Sequence, residues 1–385
     1  MWYNSAMDTT GRLESLDALR GFDMLFIMGF ATFVVKVCTA LGLAPNCWLV
    51  RQMQHPDWLG LTHHDTIFPL FIFIAGAAFP FSCAKQRERG ASTAQILWKI
   101  FRRLVVLVVL GMVYERFFSA AARPFRFGSV LARIGIAGAA ASVLYVFCRA
   151  RTRAVIAVAI LLGYWALTVF VGAPDHPGAS HFTPEGNIAV YVDRTFLAPW
   201  SRLSPGTAAL PFDNQGLLST VAAVVTALLG VFAGEYVRGT RGRVSGDRQT
   251  VVLLATAGAL AVAGCAIAWG FGRYAFPFSK VLWSPSFTLV VGAYSVAAFA
   301  AFYWLIDVRR IWKHTLFFRV IGLNAITIYL AQPLFGLSSL NTALFGRMAG
   351  WFPSAWAAVF LGTTYMLVCW SLLYVLYRKQ VFLKV

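Results

Sequence analysis

Ten long apolar runs, separated by short polar connections, make up most of this chain. They lie at about 22–43, 64–84, 103–119, 130–148, 154–172, 216–237, 250–271, 284–305, 318–337 and 353–377. About twenty apolar residues in helical form cross a hydrocarbon core, where every backbone polar group must be paired. Barrel strands would need short alternating segments, which are absent. The pattern predicts an all-α, polytopic membrane protein of about ten transmembrane helices. No internal repeat or composition break divides it, so 1–385 reads as a single transmembrane domain. The longest polar connection, at about 173–215, is too long for a turn and is expected to cover a site.

Composition agrees with this picture. The 385 residues are 59% hydrophobic and 12% charged, and the mean hydropathy is +0.69. A net charge of +18 would suggest nucleic acid in a soluble protein. Here the lysines and arginines lie mostly between the apolar runs, so the partner they imply is the lipid bilayer, not nucleic acid. When successive connections are assigned to alternate sides, 22 of the 33 Lys and Arg fall on the side of the N-terminus and nine on the other. That bias places both termini in the cytoplasm and the 173–215 loop outside. Arg12 and Arg20 precede an apolar run that contains Asp23 and exceeds a signal-peptide core, so a retained first helix is expected. Six scattered cysteines show no metal-ligand spacing, and neither a metal nor a redox centre is expected. Cys38 and Cys47 fall on one side and are candidates to pair, with buried thiols the simpler expectation.

The candidate chemistry gathers at 55–82, where a polar loop runs into a Phe/Ile-rich helix. His55 can take and give a proton near neutrality, although an outer-loop histidine is often only solvated or packed. Asp65 lies just inside the helix, where it would orient His55 or a substrate group, or simply favour the helix dipole. Trp58 can stack on a sugar ring or mark the interface; His63 and His64 flank the aspartate. Arg133 must pair through the fold or meet an anionic ligand. Asn324 can join helices or bind ligand. The basic 85–103 connection, with Arg102 and Arg103, can hold cofactor phosphates, though orientation already accounts for its charge. Glu235 is expected to pair with an arginine at the terminal side. Hydrolase, ATPase, dinucleotide and zinc-protease motifs are absent.

RLESLDALRGFDMLFIMG (12–29) and HPDWLGLTHHDTIFPLFIFIAGAAFPFS (55–82) resemble the NagX-like bacterial membrane acyltransferases, relatives of lysosomal heparan-α-glucosaminide N-acetyltransferase and of YeiB-type proteins. The resemblance continues through SVLARIG (129–135), FTPEGNIAVYVDR (182–194), GLLSTVAAVVTALLGVFAGE (216–235), FPFSKVLWSPSF (276–287) and GLNAITIYLAQ (322–332). It implies a bacterial inner-membrane enzyme that takes acetyl from cytoplasmic acetyl-CoA and delivers it across the membrane to an amino sugar or glycan, as a homodimer in the lysosomal branch. His55 matches the family histidine and Asp65 the following aspartate. His55 is expected to act as general base or acyl carrier. Lys280 and Trp283 are expected to bind the acceptor or anchor the interface, with Trp58 and Asn324 also on the substrate side. Arg133, Arg102 and Arg103 are expected to hold the donor. The chain departs from the family at IMGF, which lacks an asparagine, at His63 and His64, which replace aromatics, and at Gln215 and Ser279. The contrasting reading is a sugar or muropeptide permease without acyl chemistry, which would have no reason to bind acetyl-CoA.

Overall fold

The structure, a computed structural model, describes residues 13–117, 128–198, 212–312 and 315–383. Residues 199–211 of the long loop thus lie outside the described part. All regular elements among the described residues are helices, with two isolated β-bridges. Among the described residues, eight helices are long and apolar enough to span a membrane: α1 (Glu14–Ala40), α3 (His63–Glu88), α5 (Val130–Phe147), α6 (Ala150–Phe170), α8 (Leu217–Thr240), α9 (Gly246–Gly270), α10 (Pro285–Val308) and α14 (Ser354–Arg378). Short α2 (Trp48–Gln52) and α7 (Ile188–Val192) lie in the connections before α3 and α8.

Two expected spans differ from the sequence reading. The run at 103–119 belongs to α4 (Thr93–Phe117), which starts ten residues earlier, so Lys99, Arg102 and Arg103 lie on a helix instead of in a connection. Basic side chains can lay their stems along apolar surface with the charged heads outside, so an apolar window finds such a start too late. The run at 318–337 is two helices, α11 (Leu316–Leu323) and α12 (Ala325–Leu334), bent by 70°. Asn324 sits at the break, followed by a further helix, α13 (Leu337–Ala349), that the hydropathy pattern does not reveal.

The centre of the fold is α3 packed on α8. Each has 67% of its apolar window buried, the largest share among the spanning helices. A Cβ on Gly76 would collide with the Ala227 carbonyl, and one on Gly230 with that of Phe73. Close backbone approach through small residues replaces the hydrophobic driving force that lipid cannot supply. Around this pair, Phe68, Ile72, Val225, Leu228, Trp283 and Phe287 form one core and Leu16, Leu70, Phe73, Val296 and Phe299 another.

This packing also sets the depth of the polar loop. The His63 ring packs on Phe26, with centroids 4.8 Å apart. Phe26 lies close to midway along the 27-residue α1, so His63 is about 18 Å from the start of that helix at 1.5 Å per residue. The first turn of α3 therefore lies level with the middle of α1, while Gln54, His55, Asp57 and Leu59 of the preceding loop stay exposed. α1 is itself bent at a π-helical turn, where Gly29 has a φ of 115° that residues with side chains rarely adopt.

Candidate functional site

The site is built at the N-terminus of α3. Thr62 caps the opening turn His63–Thr66, and its backbone N–H and hydroxyl donate to Asp65 Oδ2 at 3.1 and 3.2 Å. The Thr62 spacing to Asp65 is that of a capping box, so the helix start fixes the carboxylate. Asp65 is fully buried. Its other oxygen, Oδ1, lies 2.7 Å from His55 Nδ1. An ionised carboxylate only accepts, so the proton of this hydrogen bond sits on Nδ1. Nε2 is thereby left with its lone pair, on a side chain that is 48% exposed. A histidine oriented by a buried carboxylate, with its second nitrogen open, can act as a base or a nucleophile.

Lys280 completes the group. Its Nζ lies 3.2 Å from both ring nitrogens of His55 and 3.5 Å from Asp65 Oδ1. With the Nδ1 proton directed at Asp65, Nε2 is the nitrogen that can accept from this ammonium. Burial pushes the Lys280 amine down to about 8, against the opposing pull of Asp65. Asp65 and Lys280 compensate each other's charge across the imidazole.

The turn that carries Lys280 depends on Trp283. The Ser284 N–H donates to the Ser279 carbonyl and the Trp283 N–H to that of Lys280. Trp283 has a φ of 53°, strained for a bulky residue. It is fully buried, and its indole N–H donates to Thr226 Oγ1 at 3.1 Å. Expected among the acceptor-binding residues, Trp283 instead lies in the core and presents no open face. Its burial follows from the short 276–287 stretch, which must turn back into the bundle at once. Ser279, buried in turn, donates to the Trp58 carbonyl at 2.8 Å. The Trp58 indole donates to the Phe182 carbonyl at 2.6 Å and meets Phe212 edge-on. Trp58 thus ties the His55 loop to the described part of the 173–215 loop, which is folded: His181 and Asn187 pin it and α7 follows.

Arg133 and the other two arginines expected at a donor site do not meet. Arg133 is buried, donates to Ser219 Oγ at 2.5 Å and lies 4.9 Å from the Trp283 ring centroid. It faces α8, while its neighbours Ile134 and Gly135 face a cavity of about 240 Å³. Arg102 and Arg103 line that cavity with Lys99, Ser82 and Gln86. Sequence reasoning gave no weight to Gln86, whose Oε1 is buried without a partner. The cavity reaches Ala75 on α3, about 15 Å along the helix from Asp65. Asn324 is buried at the bend of α11 and α12, accepts from Thr327, and has no partner for its Nδ2. Glu235 meets Arg153 at 2.7 Å, as its position suggests. All six cysteines are thiols.

The described part of the 173–215 loop holds a further buried carboxyl. Asp193 accepts from the Leu217 N–H at 2.9 Å at the start of α8. Burial pushes it up to about 7, with the nearby Asp213 adding to the rise and Arg133 opposing it.

Residues 12–148 match a family described as a domain of unknown function, DUF5009. Along its length the chain is also similar to heparan-alpha-glucosaminide N-acetyltransferase of Homo sapiens, 25% identical over 440 residues that cover 100% of this chain. The Mus musculus protein of the same name is 25% identical over 436 residues, covering 98% of this chain. The chain spans 61% of the length of each of these relatives. The DUF5009 match contains both His55 and Asp65, and the similarity to these N-acetyltransferases runs over nearly the whole chain.

Proposed function

We infer that the protein is a membrane acetyltransferase that moves acetyl from acetyl-CoA to the amino group of a glucosamine-type sugar. The observation that carries this reading is His55, held by buried Asp65 through Nδ1, with Nε2 left unprotonated beside Lys280 on a half-exposed ring. The similarity to N-acetyltransferases supports the class of reaction. Both termini are taken as cytoplasmic, with the acceptor approaching from the other side.

The cavity suits the donor's shape. Its 240 Å³ is too small for a whole nucleotide but fits a slim chain. Lys99, Arg102 and Arg103 would hold the phosphates at its rim, as multiple donors beside an anion do. The thioester would extend along α3 toward the His55 loop. An amino sugar arrives as an ammonium, which is no nucleophile. His55 Nε2 takes one of its protons, and the amine attacks the thioester carbon. The C–N bond forms and the C–S bond breaks. The nitrogen gives up two protons in all: one goes to the departing thiolate and one is released. If His55 is first acetylated, the same balance holds over two steps.

Purified protein in liposomes, given labelled acetyl-CoA and a panel of amino sugars, tests the reading. Labelled N-acetyl sugar is expected, with glucosamine among the acceptors. Absence of acetyl-CoA binding would overturn it and favour a transporter.

A further inference from the structure

One amine of the protein already stands where acetyl transfer requires the amine of an acceptor. Lys280 Nζ lies 3.2 Å from His55 Nε2, a distance at which a base can remove a proton. Asp65 Oδ1 is the other acceptor in reach, at 3.5 Å. It already holds the His55 Nδ1–H, and a carboxylate is a weaker base than imidazole. Burial brings the Lys280 amine down to about 8, so it gives up a proton more readily than an ordinary lysine.

The chain around Lys280 keeps its nitrogen there. The Lys280 carbonyl accepts from the Trp283 N–H, and Ser279, Leu282 and Trp283 are buried on either side. Ser279 also donates to the Trp58 carbonyl in the loop that carries His55. The Lys280 side chain nevertheless remains 24% exposed, so a small reactant can reach it. Other lysines lack this setting. Lys99 lines the proposed donor cavity, and Lys379 lies exposed just past the end of α14. Among the described residues, Lys280 is the lysine whose nitrogen meets a histidine.

We propose that Lys280 is itself an acetyl acceptor, so that without an amino sugar the protein acetylates its own Lys280 Nζ from acetyl-CoA. The proposal rests on the acetyl-transfer reading above. His55 Nε2 takes a proton from the Nζ ammonium, and the freed amine attacks the thioester carbon. The C–N bond forms, the C–S bond breaks and Nζ becomes a neutral secondary amide. The nitrogen loses two protons: one goes to the departing thiolate, and the other passes from the half-exposed His55 ring to water. Lys280 and an amino sugar compete for one base. A bound sugar must move the lysine aside and thereby protects it.

Full-length protein in liposomes is incubated with labelled acetyl-CoA and no sugar, and acetylation is read peptide by peptide by mass spectrometry. Lys280 is expected to gain one acetyl group at a rate that saturates with acetyl-CoA. That rate should exceed those of Lys99 and Lys379 by about tenfold or more, as a positioned base provides. Those two lysines report uncatalysed acetylation beside the donor and in open solvent. His55→Ala and His55→Gln should each bring Lys280 down to the rate of Lys379. In the wild-type protein, any amino sugar that becomes N-acetylated should slow modification of Lys280, a readout that needs no variant. Acetylation of Lys280 no faster than Lys379, or equally fast without His55, would overturn the proposal. Modification of Lys280 that depends on His55 supports it even if no sugar on the panel is acetylated. A protein that acetylates glucosamine but leaves Lys280 unmodified sinks the proposal and leaves the transferase reading standing.

Discussion

Two polar clusters inside the bundle look alike in composition and differ in what they leave open. Around His55, a buried aspartate, a lysine and a histidine interlock, and Nε2 remains accessible on a half-exposed ring. Around Arg153, the guanidinium is buried, bonded to both oxygens of Glu235 and covered by the rings of Tyr145 and Phe232 at 4.9 and 5.5 Å. Both hold charge where charge is costly. In the second, one guanidinium nitrogen holds both carboxylate oxygens and the aromatic faces cover the cation, with Nε and Nη1 left without a partner, so the pair joins α6 to α8 and offers no lone pair. In the first, the carboxylate fixes the proton on one nitrogen and leaves the lone pair of the other beside Lys280. A reactive group is distinguished here by its open lone pair more than by buried charge.

The strongest way to break the comparison is His55→Ala. Acetyl transfer should fall by on the order of a hundredfold or more, with acetyl-CoA binding and thermal stability kept, because the proposed phosphate contacts lie at the other end of α3. Near wild-type turnover would show that the open nitrogen is not the working group. Arg153→Met should do the reverse. It leaves Glu235 without its cation and should cost about 3 kcal/mol of stability, the low end for such pairs since that carboxylate is partly exposed. Activity per folded molecule should change little; a variant that is stable but inactive would make the second cluster part of the chemistry.

A smaller effect is expected from Asp65→Asn. It keeps the shape and the Thr62 cap but removes the charge that favours the proton on His55 Nδ1. Turnover should drop roughly tenfold to a hundredfold, between wild type and His55→Ala. If Asp65→Asn equals His55→Ala, the carboxylate does more than orient the ring.

The last two predictions concern protons just outside the spans. Asp193 titrates near 7 because burial disfavours its charge. Its folded value lies above the unfolded one, so its contribution is fully present below the ordinary carboxylate range and is lost as pH rises through about 7. Asp193→Asn should therefore raise the melting temperature more at pH 8 than at pH 5; an equal change at both would mean the charge is not what the site resists. Lys280 loses its proton as pH rises through about 8. An amine-directed acylating reagent should accordingly modify it several times faster at pH 8 than exposed lysines, as read by mass spectrometry. Labelling no faster than at Lys379 would mean its ammonium persists beside Asp65.

The sequence alone determined the membrane class, because runs of twenty apolar residues have no other stable home, and it offered His55 and Asp65 as candidates, because a polar loop enters an apolar run there and the family resemblance falls on those two positions. The charged start of α4 and the break at Asn324 were not legible, since hydropathy averages over residues whose stems and heads sit in different media. Only the tertiary structure decided that Trp283 is core, that Arg133 faces α8 away from Arg102 and Arg103, and that Lys280 lies on the His55 ring. Those outcomes come from contacts between residues far apart in the chain. The depth of the site is likewise a packing result. Glycines let α3 and α8 touch, and α1 packs beside α3 through Phe26, which sets the first turn of α3 level with the middle of α1.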